Sequence, residues 1–202
     1  MIINSGFEVA QPVDAVWEFF DDIPQVASCL PGAELTQDLG DGKYKGRVAI
    51  RMGPVRLKFD GNADIVARDD AARRIVVNAA GADERGRGQA AMTVTATVSP
   101  ASRASAKGGG TRVEVTQDLQ LSGAAAQYGR GMIADFSAIM MRDFAANMAD
   151  RITRLQRGES AEQIAAAAAG GSVGGFTLAI RAARLALARV FRRFFLPYQP
   201  AT

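Results

Sequence analysis

Hydrophobic and polar residues alternate almost without a break from Tyr44 to Ile65. In "YKGRVAIRM" the even positions Tyr44, Val48, Ile50 and Met52 are apolar, while Lys45, Arg47 and Arg51 point the other way. In "VRLKFDGNADI" the odd positions Val55, Leu57, Phe59, Ala63 and Ile65 are apolar, against Arg56, Lys58, Asp60, Asn62 and Asp64. Such alternation marks strands with one dry and one wet face. A tight turn at Gly53-Pro54 would set Ile50 opposite Leu57, Val48 opposite Phe59, Tyr44 opposite Ala63 and Gly46 opposite Gly61. The apolar faces then coincide, which supports that register.

Three more strands are predicted at "RRIVVNAAG", "AAMTVTATV" and "TRVEVTQDLQL", with a loop at "KGGG" between the last two. Met92, Val94, Ala96 and Val98 share one dry face, and Val113, Val115, Leu119 and Leu121 another. Ahead of these, "FEVAQPVDAVWEFFDDIPQV" predicts a strand, a turn at Pro12 and a short helix carrying Val16, Trp17 and Phe20. Asp21 and Asp22 offer a cap to a second short helix, which begins near Pro24 and stops before "CLPG" because Pro31 and Gly32 cannot continue it. After Gly123 the period changes. Tyr128, Met132, Phe136, Met140, Phe144, Met148 and Ile152 recur every four residues, predicting a long helix through Gln156 whose stripe winds slowly round the axis. That suits a helix lying across a twisted sheet. The expected class is α+β: an antiparallel sheet of about six to seven strands wrapped around a long C-terminal helix, with an additional amphipathic tail.

Composition narrows the chemistry. The 202 residues include no histidine and a single cysteine, Cys29. That excludes histidine-activated nucleophiles and histidine general bases, an intrachain disulfide and a thiolate metal cluster. A reducing, cytoplasmic setting is expected, and "MIINSGFEVA" lacks the basic region and apolar run of a secretory signal. Up to Gly158, nineteen basic residues balance nineteen acidic ones, so the net charge of +3 belongs to the C-terminal segment. A neutral body predicts no nucleic-acid partner, which would need clustered Lys and Arg on the fold.

The acid pairs Asp21/Asp22, Asp69/Asp70 and Asp83/Glu84 sit at predicted turns or caps, where solvated acids serve structure. "GADERGRGQ" lacks the Lys-Ser/Thr of a phosphate loop and reads as a turn. Nothing assembles a nucleophile, base and oxyanion hole, so no catalytic residue, no metal and no enzymatic activity are expected. The dry face is more informative. Its positions Gly46, Gly61, Ala63, Ala79, Ala90 and Ala96 are small, and the facing helix offers Met132, Met140 and Met148, with Met52 and Met92 on the sheet. Small residues on a curved sheet opposite flexible thioethers can leave a cavity with an adaptable lining. The alternative is a closed core, with glycine at a sheet bend and methionine as filler. The candidate cavity residues are Tyr44, Val48, Ile50, Phe59, Ala63, Met92, Val94, Gln117, Tyr128, Met132, Phe136, Met140 and Phe144. So few polar groups suit binding better than bond-breaking.

The stretches "VDAVWEFFDD", "CLPGAEL", "YKGRVAIRMGPVRLKFDG", "GGGTRVEV" and "LSGAAAQYGRG" resemble the CoxG family of carbon monoxide dehydrogenase proteins. That family belongs to the START-like, helix-grip (SRPBCC) superfamily. The resemblance runs from about Met1 to Arg157, and Leu30-Pro31-Gly32 and Met52 to Val55 carry most of it. It implies a cavity between sheet and long helix. It also implies a non-catalytic accessory of a molybdenum CO dehydrogenase-type enzyme, peripherally attached to the inner face of the cytoplasmic membrane. The expected ligand is a quinone or similar lipophilic molecule, with no covalent cofactor. A cavity enzyme of the cyclase or hydrolase type and a pure recruitment scaffold without ligand remain alternatives.

On this reading 1–157 is the ligand-binding domain, 158–175 an Ala/Gly-rich linker and 176–202 a membrane-binding tail. In the linker Ser160 and Gln163 form a capping-box pattern ahead of an alanine run. As a coil it would span on the order of 20–25 Å. In the tail Phe176, Ile180, Leu187, Phe191 and Phe194 share one side of a helical wheel, Phe195 extends the aromatic end, and Arg181, Arg184, Arg189, Arg192 and Arg193 spread over the other side. Arginine at this density is too costly for a spanning helix, whereas a helix lying in the interface turns its arginines to anionic head groups. Docking into a groove of a partner protein is the alternative. A nucleic-acid arm has no use for so many phenylalanines.

Overall fold

The computed structural model describes residues 1–52, 55–101, 110–127 and 129–164. The chain divides into two units, Met1–Gln156 and Arg157–Thr202. The Gly53-Pro54 turn, Tyr128 and every residue assigned to the membrane-binding tail lie outside the described residues.

The first unit runs β1 (Ile2–Val9), α1 (Val13–Phe19), α2 (Ile23–Cys29), β2 (Ala33–Gly40), β3 (Lys43–Met52), β4 (Val55–Asp69), β5 (Arg74–Asp83), β6 (Gly88–Pro100), β7 (Thr111–Gly123), a short 3-10 turn (Ala124–Gln127) and α3 (Arg130–Gln156). The seven strands form one antiparallel sheet in the order β1-β7-β6-β5-β4-β3-β2. The sheet is a run of hairpins, except that β1 reaches across to pair with β7. The register expected for β3 and β4 is present, with Ile50 opposite Leu57, Val48 opposite Phe59, Tyr44 opposite Ala63 and Gly46 opposite Gly61.

Local chemistry sets the short elements. The Asp22 carboxylate caps α2 by accepting from the Gln25 amide at 3.1 Å, and Pro24 occupies its first turn. Gly32 follows at φ +77°, and a Cβ there would lie 2.3 Å from the Ala49 carbonyl oxygen. Its own carbonyl accepts from the Ala49 amide at 2.8 Å. Only glycine combines that backbone with that approach, which gives the Leu-Pro-Gly stretch a physical reason.

One end of the molecule is closed. Here α1, α2 and the C-terminal half of α3 cover the sheet, burying Val16, Phe19, Phe20, Cys29, Ile75, Ala96, Val98, Val113, Val115, Phe144, Met148 and Ile152 in one cluster. Phe7 meets Phe144 edge-on at 5.9 Å between centroids. At the other end a separate, smaller cluster forms on the sheet from Leu57 and Phe59, with Ile50, Ala90 and Leu121 against them.

The four-residue stripe on α3 does not stay on the sheet along the whole helix. Residues advance about 100° each, so Met132 lies about 160° round the axis from Met148. Met148 is fully buried, whereas Met132 is 51% exposed. Met132 therefore stands at a rim rather than in a lining, which corrects its expected place.

Candidate ligand-binding site

The pairing turns the dry face into rows that cross the sheet. From the closed end, Ile75, Ala96, Val115 and Ser5 form one row, and Ile65, Val77, Val94, Gln117 and Ile3 the next. Then come Tyr44, Ala63, Ala79, Met92 and Leu119. Gly46, Gly61, Gly81, Ala90 and Leu121 follow, and beyond them Val48, Phe59 and Asp83. The third and fourth rows are made largely of alanine and glycine. They form a trough between the two apolar clusters, and Tyr44, Ala63, Ala79, Met92, Leu119 and Leu121 along it are only partly buried.

The glycine row also shapes the sheet. A Cβ on Gly61 would sit 2.1 Å from the Ala80 carbonyl oxygen and 2.7 Å from the Gly81 Cα. Adjacent strands approach there more closely than any side chain allows, so the row serves the sheet's bend as well as the width of the trough.

Two polar groups face this region. Ser137, a buried residue of α3, donates to Gln117 Oε1 at 3.2 Å, while Gln117 Nε2 is buried without a hydrogen-bond partner. Whichever way the amide is turned, one end meets Ser137 and the other is left unmatched. A buried, unmatched amide is costly; Gln11 Oε1 and Gln25 Oε1 are unmatched too, but of the three only Gln117 lies on a row bordering the trough. Tyr44 is the second: burial, then the Asp38 and Asp22 carboxylates, raise its phenol above the ordinary value, so it remains a hydrogen-bond donor.

Of the expected cavity residues, Tyr44, Val48, Ile50, Ala63, Met92, Val94, Gln117, Phe136 and Met140 are partly buried along the dry face or on the helix opposite. Phe59 is buried in the smaller cluster and Phe144 in the main core. Between β7, the 3-10 turn and the start of α3 lies an open groove of about 490 Å³, lined by Met1, Leu119, Leu121, Gly129, Arg130 and Ile133 among others. Leu119 and Leu121 belong to the trough rows, so this groove adjoins the β7 side of the trough; Gln120, between them, also lines it. Sequence reasoning placed Leu119 and Leu121 on the dry face without counting them as site residues. Ser137 was missed, because a serine inside a helix carries no signal of what it faces. A second hollow, about 260 Å³, lies on the wet face among Asn62, Asp64, Asn78, Thr93, Asp118 and Gln120.

Outside the trough, the chemistry is structural. Asp83 is not the solvated turn acid expected: its side chain is fully buried and paired with Arg87 at 2.8 Å, and it accepts the backbone amides of Lys58, Arg85 and Arg87. The Arg87 guanidinium and those amides hold the carboxyl well below the usual carboxylate range. Cys29 is buried, and desolvation pushes its thiol up to about 11 despite the Arg151 guanidinium and the Ser28 hydroxyl. Among the described residues no group of His, Cys, Asp and Glu is placed to hold a metal ion.

The sequence profile of the CoxG subunit of carbon monoxide dehydrogenase matches residues 6–153, nearly the whole first unit. The chain belongs to the CoxG family. Solved structures share the fold. A conserved protein from Geobacillus kaustophilus is similar at a TM-score of 0.65 and 20% identity, over 76% of this chain and 96% of that one. The ZhuI aromatase/cyclase from Streptomyces sp. R1128 is similar at a TM-score of 0.54 and 18% identity, over 80% of this chain and 97% of that one. No curated protein matches the chain. The architecture, a seven-stranded antiparallel sheet with a long C-terminal helix, is the helix-grip fold that these structures share.

Proposed function

We propose that this CoxG-family protein is a non-catalytic, membrane-tethered carrier. It holds a lipophilic molecule of the respiratory-quinone class in the trough and links a molybdenum CO dehydrogenase-type enzyme to the membrane. The observation that carries this reading is the unsealed trough of alanine and glycine rows, with an unmatched amide on Gln117 at its border.

A quinone offers an apolar ring and chain with carbonyl acceptors, and the protein offers an apolar trough with two donors, the Gln117 amide and the Tyr44 phenol. Electrons leaving a soluble oxidoreductase must reach a quinone that cannot cross water unaided, and a tethered apolar carrier meets that need. The arginine- and phenylalanine-rich segment 176–202 supplies the tether: its phenylalanines favour the interface and its arginines the anionic head groups. No helix among the described residues is long and apolar enough to cross a membrane, so attachment through the described part would be peripheral.

The test is direct. Protein recovered from membranes is extracted and its lipids are identified by mass spectrometry, and a short-chain quinone is titrated calorimetrically into the delipidated protein. Saturable binding is expected, weakened several-fold by Gln117→Leu and altered by Phe136→Ala, with no multiple-turnover hydrolysis or cyclisation. Failure to bind any lipophilic molecule, with a native circular dichroism spectrum, would refute the proposal.

A further inference from the structure

Charge along the first unit is distributed by end. The open end gathers the last residues of β3, the first of β4, the β5–β6 turn, the end of β7 and the start of α3. Arg51 and Arg56 are directly opposite each other on β3 and β4, Arg85 lies in the β5–β6 turn, and Arg130 begins α3. All four are exposed, and none pairs with a described carboxylate. Like charges facing across strands repel, and a cation in the first turn of a helix opposes the helix dipole. The nearby carboxylates are otherwise engaged: Asp83 holds Arg87, and Glu84 lies 3.9 Å from Lys58. Glu34 and Asp60 flank Arg47 at 3.8 and 3.4 Å, and Asp135, on the second turn of α3, is exposed.

The closed end has the opposite balance. Glu8, Asp14, Glu18, Asp21, Asp22, Asp69, Asp70, Glu114 and Asp150 stand there with Arg68, Arg73, Arg74, Arg112, Arg151 and Arg154, nine acids to six arginines among the described residues. The described residues of the unit are therefore polarised along the strands, with unpaired positive charge where the trough opens and an excess of acids where the core is sealed. The apolar groove of Met1, Leu119, Leu121 and Ile133 opens at the positive end, with Arg130 in its lining and Met132 exposed nearby.

We propose that this open end is itself a membrane-docking surface, separate from the tail. Arg51, Arg56, Arg85 and Arg130 engage the phosphates of anionic lipids, and the groove faces the acyl region. Guanidinium suits phosphate because its planar fork donates two parallel hydrogen bonds. The polarity orients the approach, since an anionic surface attracts one end and repels the other. What passes through the mouth rests on the proposed lipophilic ligand, whereas the docking itself stands on the charge distribution and the apolar groove beside it. An acidic protein surface would satisfy the arginines but gives no role to an apolar groove among them.

The experiment uses the full chain. A fluorophore is attached at Glu84→Cys, beside the mouth, or at Ala72→Cys, in the turn at the closed end. Cys29 can stay, because it is buried with a thiol too basic to label. Vesicles of phosphatidylcholine and phosphatidylglycerol carry a head-group quencher. Quenching is expected at position 84 and not at 72. The variant R51E/R56E/R85E should lose it, with attachment weakened tenfold or more, because each arginine near an anionic surface contributes about fivefold. Equal quenching at both positions, or none at 84 while the protein sediments with vesicles, would overturn the docking surface. So would a triple variant that keeps its quenching profile but no longer binds the partner enzyme. Calorimetry with a short-chain quinone separates the two proposals: binding without quenching at 84 sinks the docking surface alone, and quenching without quinone binding sinks the ligand alone.

Discussion

Single residues divide between those that hold the sheet and those left for a ligand. Gly61 belongs to the first group. A methyl there meets backbone on the next strand at 2.1 Å, so Gly61→Ala should cost about 1–3 kcal/mol, as overpacking does, and thermal denaturation would show it. Asp83 gives a pH signature. Its folded carboxyl titrates below the unfolded value, so its contribution is complete above the ordinary carboxylate range, near pH 4, and is lost as pH falls through and below that range. The denaturant midpoints of the native protein and Asp83→Asn should differ most at neutral pH and converge in acid; a gap that widened in acid would contradict the pairing. Cys29, buried with a thiol near 11, should resist alkylation at pH 8 until the protein unfolds. The absence of histidine, the β3–β4 register and the Asp22 cap were all legible in the sequence, because each depends on residue type or on local alternation. The Asp83–Arg87 pair was not, since nothing in "ADERGRG" shows that one acid of four neighbouring charges turns inward.

Elements show the same division more coarsely. The C-terminal half of α3 carries stability and the N-terminal half borders the trough. Met148→Ala should cost about 2–5 kcal/mol by leaving a cavity in the main core. Met132→Ser should stay within roughly 0.5 kcal/mol of the native protein, because Met132 is half exposed. Equal losses in urea denaturation would mean that both halves pack alike. The helix's extent to Gln156 could be read from its period, whereas which half is the more deeply buried could not. β2 was the strand least visible in the sequence: as an edge strand exposed on both faces beyond Leu35, its "AELTQDLG" lacks a dry side. The irregularity between Ile65 and Ala67 was hidden too. It places Arg68 opposite Ile75, where it stacks 4.2 Å over Trp17 and pairs with Asp21 at 2.8 Å. Before it, the alternation reads as a regular strand.

At the scale of the whole molecule, the proposed attachment to membranes would separate into an apolar and an electrostatic part. Replacing Arg181, Arg184, Arg189, Arg192 and Arg193 by glutamine should weaken sedimentation chiefly with anionic vesicles. Phe191→Ser with Phe194→Ser should weaken it with all vesicles. Salt should reproduce the first effect and not the second, because it screens charge and leaves apolar burial intact. The family was legible from motifs spread along the first unit, whereas the trough had to await the pairing of strands distant in sequence. Where β3, β4 and β5 each carry glycine on the dry face, the floor is peptide plane rather than side chain. Such a floor has a fixed shape: no rotamer can widen it, and one methyl must move a strand. On the proposed carrier function, discrimination between cargoes would fall to the opposite wall, where Phe136 and Met140 can be lengthened or shortened without rebuilding the sheet. Two proteins sharing this floor and differing only at those helix positions would select different molecules.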